Sequence, residues 1–160
     1  AAFIPFNGKS LLDAVMTPEG ATSQVPGLIV ADPQTVNAQR LDTNSPDPVY
    51  RAQLKSAFYG DLSDDAFDAI ANLLTPDDPL QPAVVPITRT AGNWGSLKRH
   101  YVKCLQDNAV VPPMAQRMID TADAEFPQNK TVVHTMNTSH SPFLSSPLEL
   151  AQLLSTIALA

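Results

Sequence analysis

The last third of the chain reads strand, helix, strand, helix, and this order constrains the fold more than any other feature. Lys98–Leu105 has the pattern of a strand: His100, Val102 and Cys104 alternate with Tyr101, Lys103 and Leu105. Both alternations carry bulky groups, so both faces are expected to be covered. A helix over Pro112–Ala124, a strand over Thr131–Met136 and a helix over Pro147–Ala158 follow. Strands joined through helices lie parallel, because each crossover returns the chain to the same end of the sheet. In the last helix Ser146 is the expected N-cap, Pro147 takes the first helical position and Glu149 lies in the first turn. Leu150, Leu153, Leu154 and Ile157 form one apolar stripe, expected to pack on the sheet. Two strands do not close a stable parallel sheet by themselves, so neighbouring strands have to come from elsewhere.

The part before residue 90 obeys different rules. It holds most of the fifteen prolines and reads as loops around two short helices, Pro48–Phe58 and Ser63–Leu74. Ser63 is the N-cap of the second, and Asp64 and Asp65 in its first turn complement the helix dipole. Residues 1–5, Ala-Ala-Phe-Ile-Pro, read as the end of a buried strand whose earlier residues are missing upstream. A chain of 160 residues with 44% apolar content buries one core, so a single domain or a large piece of one is expected. The net charge of −6 argues against nucleic acid, whose phosphates require clustered Lys and Arg. A lone Cys104 excludes an intrachain disulfide and a cysteine-based zinc site and leaves the compartment open, with cytoplasm as the default. No stretch approaches the roughly 20 apolar residues of a membrane span.

In open sheets of parallel strands, ligands bind outside the carboxyl ends of the strands. The loop after the first strand begins Gln106-Asp107-Asn108, and the loop after the second runs Asn137-Thr138-Ser139-His140-Ser141-Pro142-Phe143. A carboxylate and an imidazole are therefore expected at one rim. Such a carboxylate fixes the tautomer of the imidazole and leaves its other nitrogen to accept a proton from a nucleophile. Acid before histidine is also the order in α/β-hydrolases, where a serine precedes both on a G-x-S-x-G elbow. No such elbow occurs: Ser10 and Ser145 lack the flanking glycines. The plainer readings are an Asx turn for Asp107 and a hydrogen-bonded surface residue for His140.

Several segments sharpen the reading. Arg99-His100-Tyr101-Val102-Lys103-Cys104 followed by Asp107, Val110, Pro112 and Gln116 resembles the acid-bearing segment of the esterase and hydroxynitrile-lyase group of α/β-hydrolases, which includes plant methylesterases and bacterial relatives. Phe58-Tyr59-Gly60-Asp61, Trp94-Gly95-Ser96, Ser139-His140-Ser141-Pro142-Phe143 and Ser146-Pro147 with Leu150 are similar to further segments of that group. The resemblance implies the C-terminal portion of an α/β-hydrolase sheet, incomplete without an upstream half. Residues 1–5 would end a core strand, residues 6–90 would form a mostly helical cap, and residues 91–160 would carry the triad acid and histidine. It implies Asp107 as triad acid and His140 as general base of a carboxylic ester hydrolase, and it supplies no nucleophile. Hydroxynitrile lyases of the group place a lysine after the triad histidine; Ser141 stands there, which favours ester hydrolysis. Plant members usually place aspartate before that histidine, where this chain has Ser139.

Trp94, Met136, Phe143 and Ser141 are the candidate substrate-pocket residues. His100 and His134 fall within strand patterns, and Cys104 lies mid-strand where a thiol stays protonated, so structural roles are expected for all three. Neither a metal nor a cofactor is expected. The expected partners are an N-terminal half of the same hydrolase, as a separate chain that supplies the serine, and a small ester; without that half the chain is expected to be inactive. Rival readings are a hydroxynitrile lyase-like activity and a non-catalytic ligand-binding fragment.

Overall fold

A computed structural model describes residues 2–159. Its α-helices are α1 (Leu11–Val15), α2 (Pro33–Val36), α3 (Pro48–Phe58), α4 (Asp64–Ala71), α5 (Leu80–Val84), α6 (Pro112–Glu125), α7 (Pro142–Ser145) and α8 (Pro147–Ala158). The strands are β1 (Ala38–Arg40), β2 (Asp77–Pro79), β3 (His100–Cys104) and β4 (Val132–Met136). Strands β3 and β4 pair in parallel, from His100 opposite Val132 to Cys104 opposite Met136, with α6 as the crossover. The ladder continues past the strand ends, since the Leu105 amide donates to Met136 O at 2.9 Å and the Gln106 amide to Thr138 O at 3.0 Å. These two bonds carry the pairing into the loops where Asp107 and His140 lie.

Helix α6 is fixed by what it buries. Met114, Ala115, Met118, Ile119 and Ala122 recur at helical spacing and pack with Tyr101, Val110, Val111, Ile4 and Ala14 into one core. Residues 28–74 have a second core, formed by Leu28, Leu54, Ala57, Tyr59, Phe67 and Ala71 beneath α3 and α4. Ser63 caps α4 as its sequence requires, its hydroxyl accepting from the Ala66 amide at 3.2 Å. Asp47 opens α3 in the same way, through the Val49 amide at 2.9 Å. Ala14 belongs to the α6 core, and half-buried Phe6 packs against it.

Four expectations are modified. The segment 1–5 forms no strand over its described residues 2–5, because a strand needs a paired neighbour; Ala1 lies outside the described residues. Ala2 O instead accepts the Tyr101 hydroxyl at 2.7 Å, which keeps the segment beside β3. The stripe of α8 is incompletely covered: Leu150, Leu153 and Ile157 are half-buried, Leu154 is 50% exposed, and no residue of the helix is fully buried. Ser146 precedes α8 but makes no side-chain cap bond. Lastly, β1 and β2 form a short antiparallel pair, pinned by the bidentate Arg40–Asp77 contact at 2.6 and 2.7 Å, where the sequence suggested only loop.

Candidate active site

The loop after β3 turns on Asp107. Its Oδ1 accepts the amides of Ala109 and Val110, each at 2.8 Å, so the carboxylate closes an Asx-type turn and satisfies two buried donors. Residues of the N-terminal part fix the same loop from the other side. The Gln24 amide donates to Asn108 O at 2.9 Å, the Ser23 hydroxyl to Ala109 O at 2.7 Å, and Asn108 Nδ2 to Ser56 O at 3.0 Å. Asp107 itself is buried, with its side chain fully covered.

The loop after β4 delivers His140 to that carboxylate. Nδ1 lies 3.0 Å from Asp107 Oδ2 and 3.1 Å from Oδ1. The Phe58 ring meets the imidazole edge-on, with centroids 5.5 Å apart and planes at 79°. About a quarter of the His140 side chain remains accessible. Among the described residues Nε2 has no hydrogen-bond partner and no serine hydroxyl bonds to the ring. The Asx turn and the contact with histidine are thus not alternatives, since one carboxylate makes both.

Ser139, directly before His140, is buried and held by Asp61, beyond the end of α3. Its amide donates to Asp61 Oδ2 at 2.8 Å, and its hydroxyl donates to Asp61 Oδ1. Burial, the largest single influence, would raise the Asp61 carboxyl, but the two Ser139 bonds, together with smaller contributions from the Ser145 hydroxyl and Asp61's own backbone, hold the group below the ordinary carboxylate range. On the other side of Asp107, burial pushes the Tyr101 phenol up to about 12, so it acts as a neutral donor to Ala2 O. Sequence reasoning noticed Phe58-Tyr59-Gly60-Asp61 as a segment without giving Phe58 or Asp61 a task; no local spacing connects residue 61 with residue 139.

His140 opens onto a cleft of about 330 Å³, also lined by His100, Val102, Pro142, Phe143 and Leu150. Of the four candidate pocket residues, Phe143 lines this cleft. Ser141 and Met136 are buried and do not line it. Trp94 is elsewhere: it precedes β3, at the end remote from Asp107, with Arg89 and Arg99 stacked on its ring at 4.6 and 4.4 Å. Two buried guanidinium groups need such a platform, which makes this tryptophan structural. A larger cavity of about 780 Å³ lies between α3 and Gly27–Leu28, but no ionisable side chain lines it. His100 and His134 stack on β3 and β4 with Nδ1 and Nε2 3.0 Å apart, and Cys104 is buried within β3.

Parallel strands joined by a helical crossover belong to the α/β-hydrolase fold, and solved structures of that fold align with this chain. A pyrethroid hydrolase from Sphingobium faniae aligns over 98% of this chain and 58% of its own, with a TM-score of 0.77 and 20% identity. Polyneuridine aldehyde esterase aligns over 68% of this chain and 41% of its own, with a TM-score of 0.55 and 18% identity. At those identities the likeness shows the fold. In sequence, the chain is 30% identical to the chloroplastic methylesterase-like proteins 11 and 15 of Arabidopsis thaliana, over 90 and 92 residues respectively. Each match takes in 56% of this chain but 22% and 19% of those proteins, so it spans about a fifth of their length. No protein-family model matches. The chain therefore has the fold of part of an α/β-hydrolase, with plant methylesterase-like homologues. Among the described residues no helix is long and apolar enough to cross a membrane.

Proposed function

We propose that this chain is the acid-and-histidine part of a serine hydrolase that cleaves carboxylic esters by acyl transfer. One observation carries the reading: a buried carboxylate, anchored by two backbone amides, lies 3.0 Å from the Nδ1 of a partly exposed histidine. With Nδ1–H donated to Asp107, Nε2 is the basic nitrogen, turned away from the carboxylate. It takes the proton of a serine hydroxyl as that oxygen attacks the ester carbonyl, then returns it to the departing alcohol. Asp107 holds the tautomer and stabilises the imidazolium formed in between. The serine and its oxyanion-hole amide come from residues outside these 160, because no G-x-S-x-G occurs here. Exposed Val132, Phe143, Leu148 and Leu154 leave apolar surface for such a segment to cover.

The hydrolase and esterase names of the similar proteins support esters as the substrate class. Ser141 after His140 weighs against a lyase, which would need a cation near that position. The test is hydrolysis of short aryl esters by the native protein, beside a cyanohydrin-cleavage assay. Hydrolysis abolished by His140→Ala supports the proposal. Hydrolysis unchanged by that substitution favours a non-catalytic role for the pair, and cyanohydrin cleavage alone favours the lyase.

A further inference from the structure

We infer that Asp61 is a positioning residue for His140, acting through Ser139; the inference rests on the reading of His140 as the base. A histidine in a loop is directed by its ring partner and by its backbone. Asp107 supplies the first. The backbone is held one residue earlier, where Asp61 takes both the amide and the hydroxyl of Ser139, itself 1% exposed. Neighbouring Thr138 is held only through its carbonyl, which accepts the Gln106 amide, since its buried hydroxyl has no hydrogen-bond partner among the described residues.

Two nearby acids behave differently. Asp64 pairs with Lys55 and Asp68 with Arg51, whereas among the described residues no cation pairs with Asp61. Its carboxylate is committed to the loop. The same segment also supplies Phe58, whose ring abuts the imidazole, so residues 58 and 61 fix ring and backbone together. A cap that shifted by one hydrogen-bond length would release the histidine from Asp107, which makes alignment of the pair depend on the cap.

The test is NMR of the native protein labelled with ¹⁵N-histidine, following the His140 Nδ1–H proton, assigned by its loss in His140→Gln. Asp61→Ala should speed exchange of that proton with water about tenfold, as expected for loss of both Ser139 bonds at about threefold each. The ring signals of His100 and His134 should not move. Asp61→Asn, whose amide can still accept from the Ser139 N–H and donate to its hydroxyl, should restore exchange to within about twofold. If Asp61→Ala does not fold, Ser139→Ala keeps the amide bond to Asp61 but removes the hydroxyl, which bonds to Asp61 and lies 3.3 Å from Phe58 O, and should accelerate exchange about threefold. Unchanged exchange in these variants, or equal changes at all three histidines, overturns the inference. Asp107→Asn separates the two claims: if it leaves the His140 proton untouched, the pairing with Asp107 is wrong, and if it removes that proton while the Asp61 and Ser139 variants do nothing, only the role of Asp61 falls.

Discussion

Asp107→Ala and Asp107→Asn should both lower activity but should differ sharply in their effect on stability. The buried carboxylate satisfies the amides of Ala109 and Val110, and both bonds go to Oδ1. Asp107→Ala leaves both donors buried without a partner, at about 1–3 kcal/mol each, hence about 2–6 kcal/mol in all. That is a large fraction of the roughly 5–15 kcal/mol that holds a domain together. Asn keeps an oxygen at the Oδ1 position and so retains both bonds, losing only their charge-assisted part, about 1 kcal/mol. Its NH₂, however, faces His140 Nδ1 and donates to it, which leaves the ring proton on Nε2, the nitrogen that must accept from serine. Hydrolysis should then fall by about 10⁴-fold, the size of the same change in a serine protease. Urea denaturation of the native protein measures the first effect and initial rates of ester hydrolysis the second. Equal destabilisation by Ala and Asn, or an Asn variant with near-normal rates, would refute the roles given to the Asp107 carboxylate.

Two further outcomes follow from other sites. Because the Asp61 carboxyl is held below its ordinary range, its contribution is present above the unfolded value of about 3.9 and is lost as pH falls through the folded value. The gap in denaturation midpoint between wild type and Asp61→Asn should therefore shrink from pH 7 to about pH 3, and a gap independent of pH contradicts the assignment. Met118, fully buried on α6 and accepting the Ile4 amide at its sulfur, should cost about 2–5 kcal/mol when replaced by Ala, measured by denaturant midpoint; a loss under about 1 kcal/mol would mean that the α6 core is not as described.

Placement at the ends of two strands made Asp107 and His140 legible in the sequence, since parallel pairing dictates that both loops meet at one rim. Helices α3 and α8 match their expected bounds because Asp47-Pro48 and Ser146-Pro147 mark their starts. Trp94 misled because an aromatic residue near a sheet looks the same whether it lines a pocket or supports buried arginines; only the positions of Arg89 and Arg99 decide. Strands β1 and β2 escaped notice because Asp-Asp-Pro has no strand propensity and the pair depends on an ion pair 37 residues apart in sequence. Asp61 was invisible for the same reason, its partner lying 78 residues away. The α8 stripe announced burial only as a tendency: Leu150, Leu153 and Ile157 are half-buried and Leu154 is 50% exposed.

The most direct test of the central claim is mass spectrometry of the native protein after reaction with a fluorophosphonate, which marks serines activated by a histidine base. The account predicts one label on a serine outside these 160 residues, in a G-x-S-x-G setting, with labelling lost in His140→Ala. No labelling, or a label on Ser10 or Ser145, would contradict it.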